Sequence, residues 1–172
     1  MEKQYNAIAL CSAYGVGKTT VTQQIFSYFE PRTFMSSKSV ALRQSPKEEN
    51  ISGIVSEILK AKDDKKVLLI NPYTSDLLEI IKIPEINIFN IFLNASKTTI
   101  ETHLVRNGFP KEDINADLND AVQQISFFEN NRKVFHFSIE IDALTPKDIA
   151  KKIASQLILR NVIPVEKSKM PQ

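Results

Sequence analysis

The chain reads as an α/β protein, a three-layer sandwich around a five-stranded, mainly parallel sheet. Three observations predict this. Short apolar runs alternate with longer stretches of helical period. Each run is rich in aliphatic or aromatic residues, as strands covered on both faces need to be. The length, 172 residues, suits one domain large enough to bury a continuous core.

Strands are predicted at residues 6–11, 33–37, 66–70, 86–93 and 133–138. The first helix, 18–29, follows the first strand directly. The second, 46–62, carries Ile51, Ile54, Val55, Ile58 and Leu59 at spacings of three and four, which makes one apolar stripe. A third, 73–82, is marked by Leu77, Leu78, Ile80 and Ile81. Helices at 96–107 and 117–130 flank a short polar stretch holding Gly108 and Pro110. The last, 145–160, opens with a capping Thr145 and with Pro146 in its first turn, and turns Ile149, Ile153, Leu157 and Ile158 inward. A single domain over 1–163 follows, with a polar, proline-bearing tail at 164–172.

Composition narrows the function. The residues are 42% hydrophobic and 24% charged, a globular balance. A net charge of +2 with no Lys/Arg stripe argues against a nucleic-acid partner. The polar start lacks a signal-peptide core and no apolar run reaches membrane-spanning length, so the expectation is a cytoplasmic protein with no membrane partner. The one cysteine, Cys11, lies in an apolar run and reads as a small buried hydrophobe; with two histidines far apart, it builds no zinc site.

The strongest motif is Ser12, Ala13, Tyr14, Gly15, Val16, Gly17, Lys18, Thr19, Thr20. It matches the phosphate-binding pattern G-x-x-x-x-G-K-[ST] everywhere except Ser12, which replaces the first glycine. Gly15 and Gly17 permit backbone angles that let successive N–H groups converge on one anion. The loop opens into a helix N-terminus, whose unpaired N–H groups and dipole favour phosphate. Lys18 adds a full charge for the outer phosphates of ATP or GTP, and the Thr19 hydroxyl is a ligand for Mg²⁺. Two of the four glycines of the chain stand in this loop, between an apolar run and an amphipathic stretch, which is the context such a motif requires. The predicted architecture is therefore the P-loop NTP hydrolase fold.

Several classes are excluded by their own motifs. A GTP switch needs Asp-x-x-Gly and Asn-Lys-x-Asp; Asn50 and Val105 stand three residues before Gly53 and Gly108, and Asn94-Ala95-Ser96-Lys97 is not the guanine reader. A hydrolytic motor ends its third strand in acid, whereas this one ends in Asn71. Small size, an early P-loop and a basic, glycine-bearing segment between two late helices point to a small-molecule kinase.

The sequence resembles the guanylate kinases, within the nucleoside monophosphate kinases. The loop is similar to the family's [AG]-P-S-G-[AV]-G-K-[ST]. The stretches Val67-Leu68-Leu69 and Ile91-Phe92-Leu93-Asn94-Ala95-Ser96 look like its third and fourth strands. His103-Leu104-Val105-Arg106-Asn107-Gly108, with Ile114, Leu118 and Ala121, resembles its R-L-x-x-R-G and I-x-x-R-L. The resemblance implies transfer of the γ-phosphoryl group of Mg-ATP to a nucleotide or other small phosphorylated acceptor. It makes Arg106 the lid arginine that reaches the phosphates, within a lid of roughly 106–117. An arginine ending a helix beside Gly108 is the other reading of that residue. In one register Ser36 and Arg43 fall on the outer members of S-x-T-T-R-x-x-R, so that Arg43 grips the acceptor phosphate, with Lys38 another partner for it; a plain surface charge is the alternative for Arg43.

Three departures stand out. Asn71 replaces a metal-facing aspartate, which leaves Asp76 as the carboxylate best placed to stand in for it. Asp117 replaces a further lid arginine. The acceptor region, roughly 38–64, is reduced to little more than one helix and has no tyrosine between Tyr28 and Tyr73. The alternative function is accordingly a catalytically weak or inactive nucleotide-binding module that regulates or binds a partner. His103 and His136 are expected to be structural.

Overall fold

The computed structural model describes residues 4–13, 16–29, 35–38 and 47–163. Five strands form one sheet: β1 (Ala7–Ser12), β2 (Met35–Lys38), β3 (Val67–Ile70), β4 (Ile88–Asn94) and β5 (Phe137–Glu140). They lie in the order β2-β3-β1-β4-β5, and every pair is parallel. Parallel neighbours require crossovers, which α1 (Lys18–Phe26), α2 (Lys47–Asp63), α3 (Thr74–Ile80) and the pair α4 (Lys97–Arg106) and α5 (Lys111–Asn130) supply; α6 (Pro146–Leu159) follows the last strand and packs in the same layer as α1.

Strand alternation divides the core into two layers. Ile8 and Leu10 of β1 face a cluster with Val21 and Ile25 of α1, Ile100 and Leu104 of α4, and Ile153 and Leu157 of α6. Ala7, Ala9 and Cys11 face the other layer, with Ile54 and Ile58 of α2 and Leu77 and Ile80 of α3. The long α5 serves both, placing Leu118 and Ala121 in the first and Phe128 in the second. There Phe128 stacks on Phe92 at 4.0 Å between centroids.

Several boundaries differ from those predicted, each for a local reason. Residues 132–134 form a 3₁₀ turn, not the start of β5. Arg132 is bidentate to Glu129 at 2.7 Å, which ties the turn to the end of α5. The last strand therefore lies further on and ends at Glu140, opposite Asn94. Helix α5 begins at Lys111, six residues before the expected 117, because Pro110 precedes it and Glu112 and Asp113 suit the positive end of its dipole. Of the stretch 106–117, only 107–110 joins the two helices. The first helix stops at Phe26, and its next residues close tight turns onto Gln24, Ile25 and Phe26. Helix α6 opens as expected: Thr145 and Asp148 bond reciprocally and Pro146 takes the first position. The tail, 164–172, lies outside the described residues.

Candidate functional site

The carboxyl ends of the strands gather the motif residues. β1 is buried along its whole length and delivers the loop at the centre of that edge, flanked by β3 and β4. In doubly wound sheets the crevice beside such a central strand is where ligands bind. Ser12 ends β1, in register with Leu93, and its hydroxyl donates to the Ala13 carbonyl at 2.9 Å. That side chain is thus committed to the loop's own backbone. Ala13 and Val16 are 1% and 4% exposed and belong to the core, so the described loop residues on either side are pinned from below. Tyr14 and Gly15 lie outside the described residues.

Gly17 has φ 91° and ψ 33°, the left-handed region. A Cβ there would meet nothing within 4 Å, so backbone conformation and not crowding calls for glycine. Gly17 is also the N-cap of α1. No side chain caps this helix and no acid sits in its first turn, whereas α4 is capped by Ser96 and α6 by Thr145. The amide groups at the mouth of α1 thus lack a side-chain acceptor and face the loop, which is a phosphate cradle's geometry.

Lys18 begins the helix. It is half-buried, and desolvation holds its ammonium below the ordinary lysine range. No ion pair neutralises it among the described residues. It sits close enough to Cys11 to feel its charge state. Cys11 is fully buried, and burial pushes its thiol up to about 12, so it stays neutral. Its Sγ–H points to the Pro72 carbonyl at 3.6 Å. Cys11 thereby connects the lysine to the exit of β3, where Asn71 and Pro72 follow Ile70. Thr19 and Thr20 are exposed beside them.

At that exit, Asn71 Oδ1 and Thr74 Oγ1 are buried without a hydrogen-bond partner among the described residues. These two residues were not both foreseen: Asn71 drew notice as a missing acid, and nothing in the local sequence marked Thr74. Asp76 lies 5% exposed in the first turn of α3 and already has an interaction of its own. Among the described residues, no three His, Cys, Asp or Glu side chains cluster as metal ligands.

The remaining predicted site residues are placed apart. Arg106 ends α4, exposed, along a shallow groove shared with Thr98, Glu101, Thr102 and Val105 of the same helix and with no loop residue. Asp117 is half-buried on α5. Lys38 closes β2 in register with Ile70, so the backbone puts it at the same sheet edge, and Ser36 pairs with Leu68. Arg43 lies outside the described residues. The edge also holds a polar group that sequence reading missed. Asn94 donates to both Glu140 oxygens at 2.8 and 3.1 Å, and the Ser96 N–H donates to Asp142 at 2.9 Å. The Ser96 N–H, with the Thr99 and Ser96 side chains, holds the Asp142 carboxyl below its usual range.

No family model matches the chain and no curated protein matches its sequence. Solved structures do match. The chain is similar to the tunicamycin resistance protein of Deinococcus radiodurans, with a TM-score of 0.64 and 13% identity over 91% of this chain and 96% of that one. A gluconokinase from Sinorhizobium meliloti gives a TM-score of 0.60 and 12% identity over 92% and 99% of the two chains. The shikimate kinase of Bacteroides thetaiotaomicron gives 0.52 and 11% over 91% and 98%. The chain has the fold of the P-loop kinases. At these identities the likeness establishes that fold and does not single out guanylate kinases. No helix among the described residues is long and apolar enough to cross a membrane.

Proposed function

We propose that the chain is a nucleotide-dependent phosphotransferase that moves the γ-phosphoryl group of Mg-ATP, or Mg-GTP, to a small acceptor. The observation that carries this is the mouth of α1: a left-handed Gly17 with no side-chain cap and no first-turn acid, beside a Lys18 that no ion pair neutralises among the described residues. A polyanion there meets the amide groups and restores the charge environment that burial denies the lysine. Thr19, exposed on the first turn, would hold the magnesium ion. Magnesium keeps several waters and needs few protein ligands when phosphates supply the rest, and the orphaned Asn71 Oδ1 suits a water of that shell as hydrogen-bond donor. Bound there, the ion would neutralise charge on the transferring group.

The acceptor follows from the same orphaned atoms. Asn71 Oδ1 can only accept a hydrogen bond, and Thr74 Oγ1, three residues further on, has no partner among the described residues. A phosphate dianion has only acceptors to offer, whereas a hydroxyl can donate to Thr74 Oγ1 and to the second lone pair of Asn71 Oδ1 beside a magnesium-bound water. This favours a hydroxylated small molecule, the kind of substrate named for the gluconokinase and the shikimate kinase. The nucleoside monophosphate reading rests instead on Lys38 at the β2 edge and on Arg43 and Arg106 as phosphate clamps. A module that binds nucleotide with little or no turnover is the second reading, and Asn71 in place of a strand-end acid favours it, since an amide brings no charge to the metal.

A coupled assay of nucleotide consumption tests these readings together. It is run with Mg-ATP and Mg-GTP against a panel of sugars, sugar acids, cyclic hydroxy acids and nucleoside monophosphates. Consumption with a hydroxylated acceptor, abolished by Lys18→Met, is expected. Consumption with monophosphates alone would overturn the acceptor assignment. Tight nucleotide binding with no acceptor consumed would leave the binding module standing.

A further inference from the structure

The sheet edge remote from β2 presents a surface that phosphoryl transfer does not use. β5 is the outermost strand and pairs only with β4 among the described strands. The Ile141 N–H donates to the Asn94 carbonyl at 2.9 Å, which sets the phase of the ladder. By alternation, Phe137 and Ile139 turn their main-chain groups toward β4, and Ser138 and Glu140 turn theirs outward. Both of the latter residues are exposed.

A groove of about 630 Å³ runs along this edge, floored by β5 and walled by Lys151, Lys152, Ser155 and Gln156 of α6. The helical repeat carries the same face of α6 one turn on to Leu159, which is 74% exposed. Arg160 closes one end by donating to the His136 carbonyl at 2.7 Å. The charges facing the groove are Lys151 and Lys152 against Glu140, whose carboxylate is already occupied by the Asn94 amide. Exposed main-chain donors and acceptors and two lysines, neither in an ion pair among the described residues, thus line a single slot, with one exposed leucine a helical turn beyond it.

We infer that this slot docks an extended segment of another protein, which adds to the sheet beside β5, sets an acidic side chain against Lys151 and Lys152, and lays an apolar one on Leu159. The main-chain edge supplies affinity and the side chains supply selection, as in strand addition generally. A second copy of the chain fits less well. The edge is only four residues long, and two lysine-bearing walls would face one another, while a stable interface buries on the order of 1,200 Å² or more.

The test uses the full chain with two fluorescent ten-residue peptides, one alternating glutamate and valine, the other lysine and valine. The glutamate peptide is expected to bind saturably and to slow amide exchange at Ser138 and Glu140. K151E/K152E should weaken that binding at least tenfold and let the lysine peptide bind better. Ser138→Pro, which removes an outward N–H and no bond to β4, should weaken both peptides. Nucleotide binding in these variants should stay unchanged, since the three residues line a groove that holds none of the described loop residues. The inference is overturned if the glutamate peptide fails to bind at millimolar concentration, if charge reversal leaves its affinity unaltered, or if slowed exchange appears elsewhere. Concentration-dependent dimerisation of the wild-type chain that K151E/K152E abolishes would also overturn it, by making a second copy the occupant.

Discussion

Lys18 is held where its charge is poorly hydrated, a position that the fold itself does not need. Because its folded-state pKa is depressed, the unfolded chain binds more protons, and stability rises with pH as the solution approaches the ordinary lysine value of 10.5. Removing the charge should therefore leave stability equal or higher. Lys18→Met is expected to keep or raise the denaturation midpoint and to weaken Mg-nucleotide binding by about ten- to a hundredfold, the worth of one charge-assisted hydrogen bond set. Calorimetry and a denaturant titration on the same variant read both; a parallel loss of stability and binding would mark the lysine as structural. The same depression predicts that nucleotide affinity falls with rising pH before free lysine would titrate, and that Lys18→Met shows no such fall. Gly17→Ala forces an L-residue to φ 91° and should cost about 1 to 2 kcal/mol of stability by denaturant unfolding. Glycine and lysine were legible in the sequence because their chemistry is local to the loop. Thr74 was not, because its significance is a buried oxygen at the start of α3 with no partner among the described residues, a fact of packing and not of spacing.

At the scale of elements, the parallel strands and the capped α6 could be read because apolar runs and a Thr-Pro-x-Asp start depend on near neighbours. The position of β5 could not, since residues 134–135 and 137–139 are similarly apolar and only pairing with β4 chooses between them. That junction carries a pH signature. His136 Nδ1 accepts the Asn90 N–H at 3.0 Å, and the ring stacks on Phe89 at 4.9 Å. Desolvation, and then nearby Arg160, hold its pKa below 6.5, so the folded state prefers the neutral ring. Stability from this group is whole above 6.5 and is lost as pH falls through the lowered folded value. Asp142 and Asp148 have pKa values below 3.8 in the fold, so their stability is whole above 3.8 and declines only in a more acid range. Thermal melts between pH 7.5 and 5 should show a falling midpoint that His136→Gln flattens. An unchanged slope in that variant would assign the acid sensitivity to another group.

Across the whole molecule, the strand order brings to one edge pieces far apart in the chain: the loop after β1, the Asn71–Pro72 exit of β3 and the Asn94–Glu140 pair. If the chain transfers phosphoryl groups as proposed, donor and acceptor would meet at the β1–β3 junction, where the oxygens of Asn71 and Thr74 that lack a partner among the described residues favour a hydroxylated acceptor. Asn71→Asp, which restores a strand-end charge, is expected to lower the magnesium concentration for half-maximal nucleotide binding several-fold; an unaltered magnesium dependence would place the ion away from β3. At this scale the parallel α/β architecture and the P-loop were legible in the residue order, but the acceptor side was not, because acceptor recognition is shape and the segments that make it lie distant in sequence. The most direct measurement is a crystal structure with magnesium and a non-hydrolysable nucleotide. The outer phosphates should lie against the N–H groups of residues 16–20, with Lys18 Nζ on a phosphate oxygen and Thr19 Oγ1 on the metal. A nucleotide bound elsewhere, with Lys18 paired to a carboxylate and the mouth of α1 open to solvent, would contradict the account.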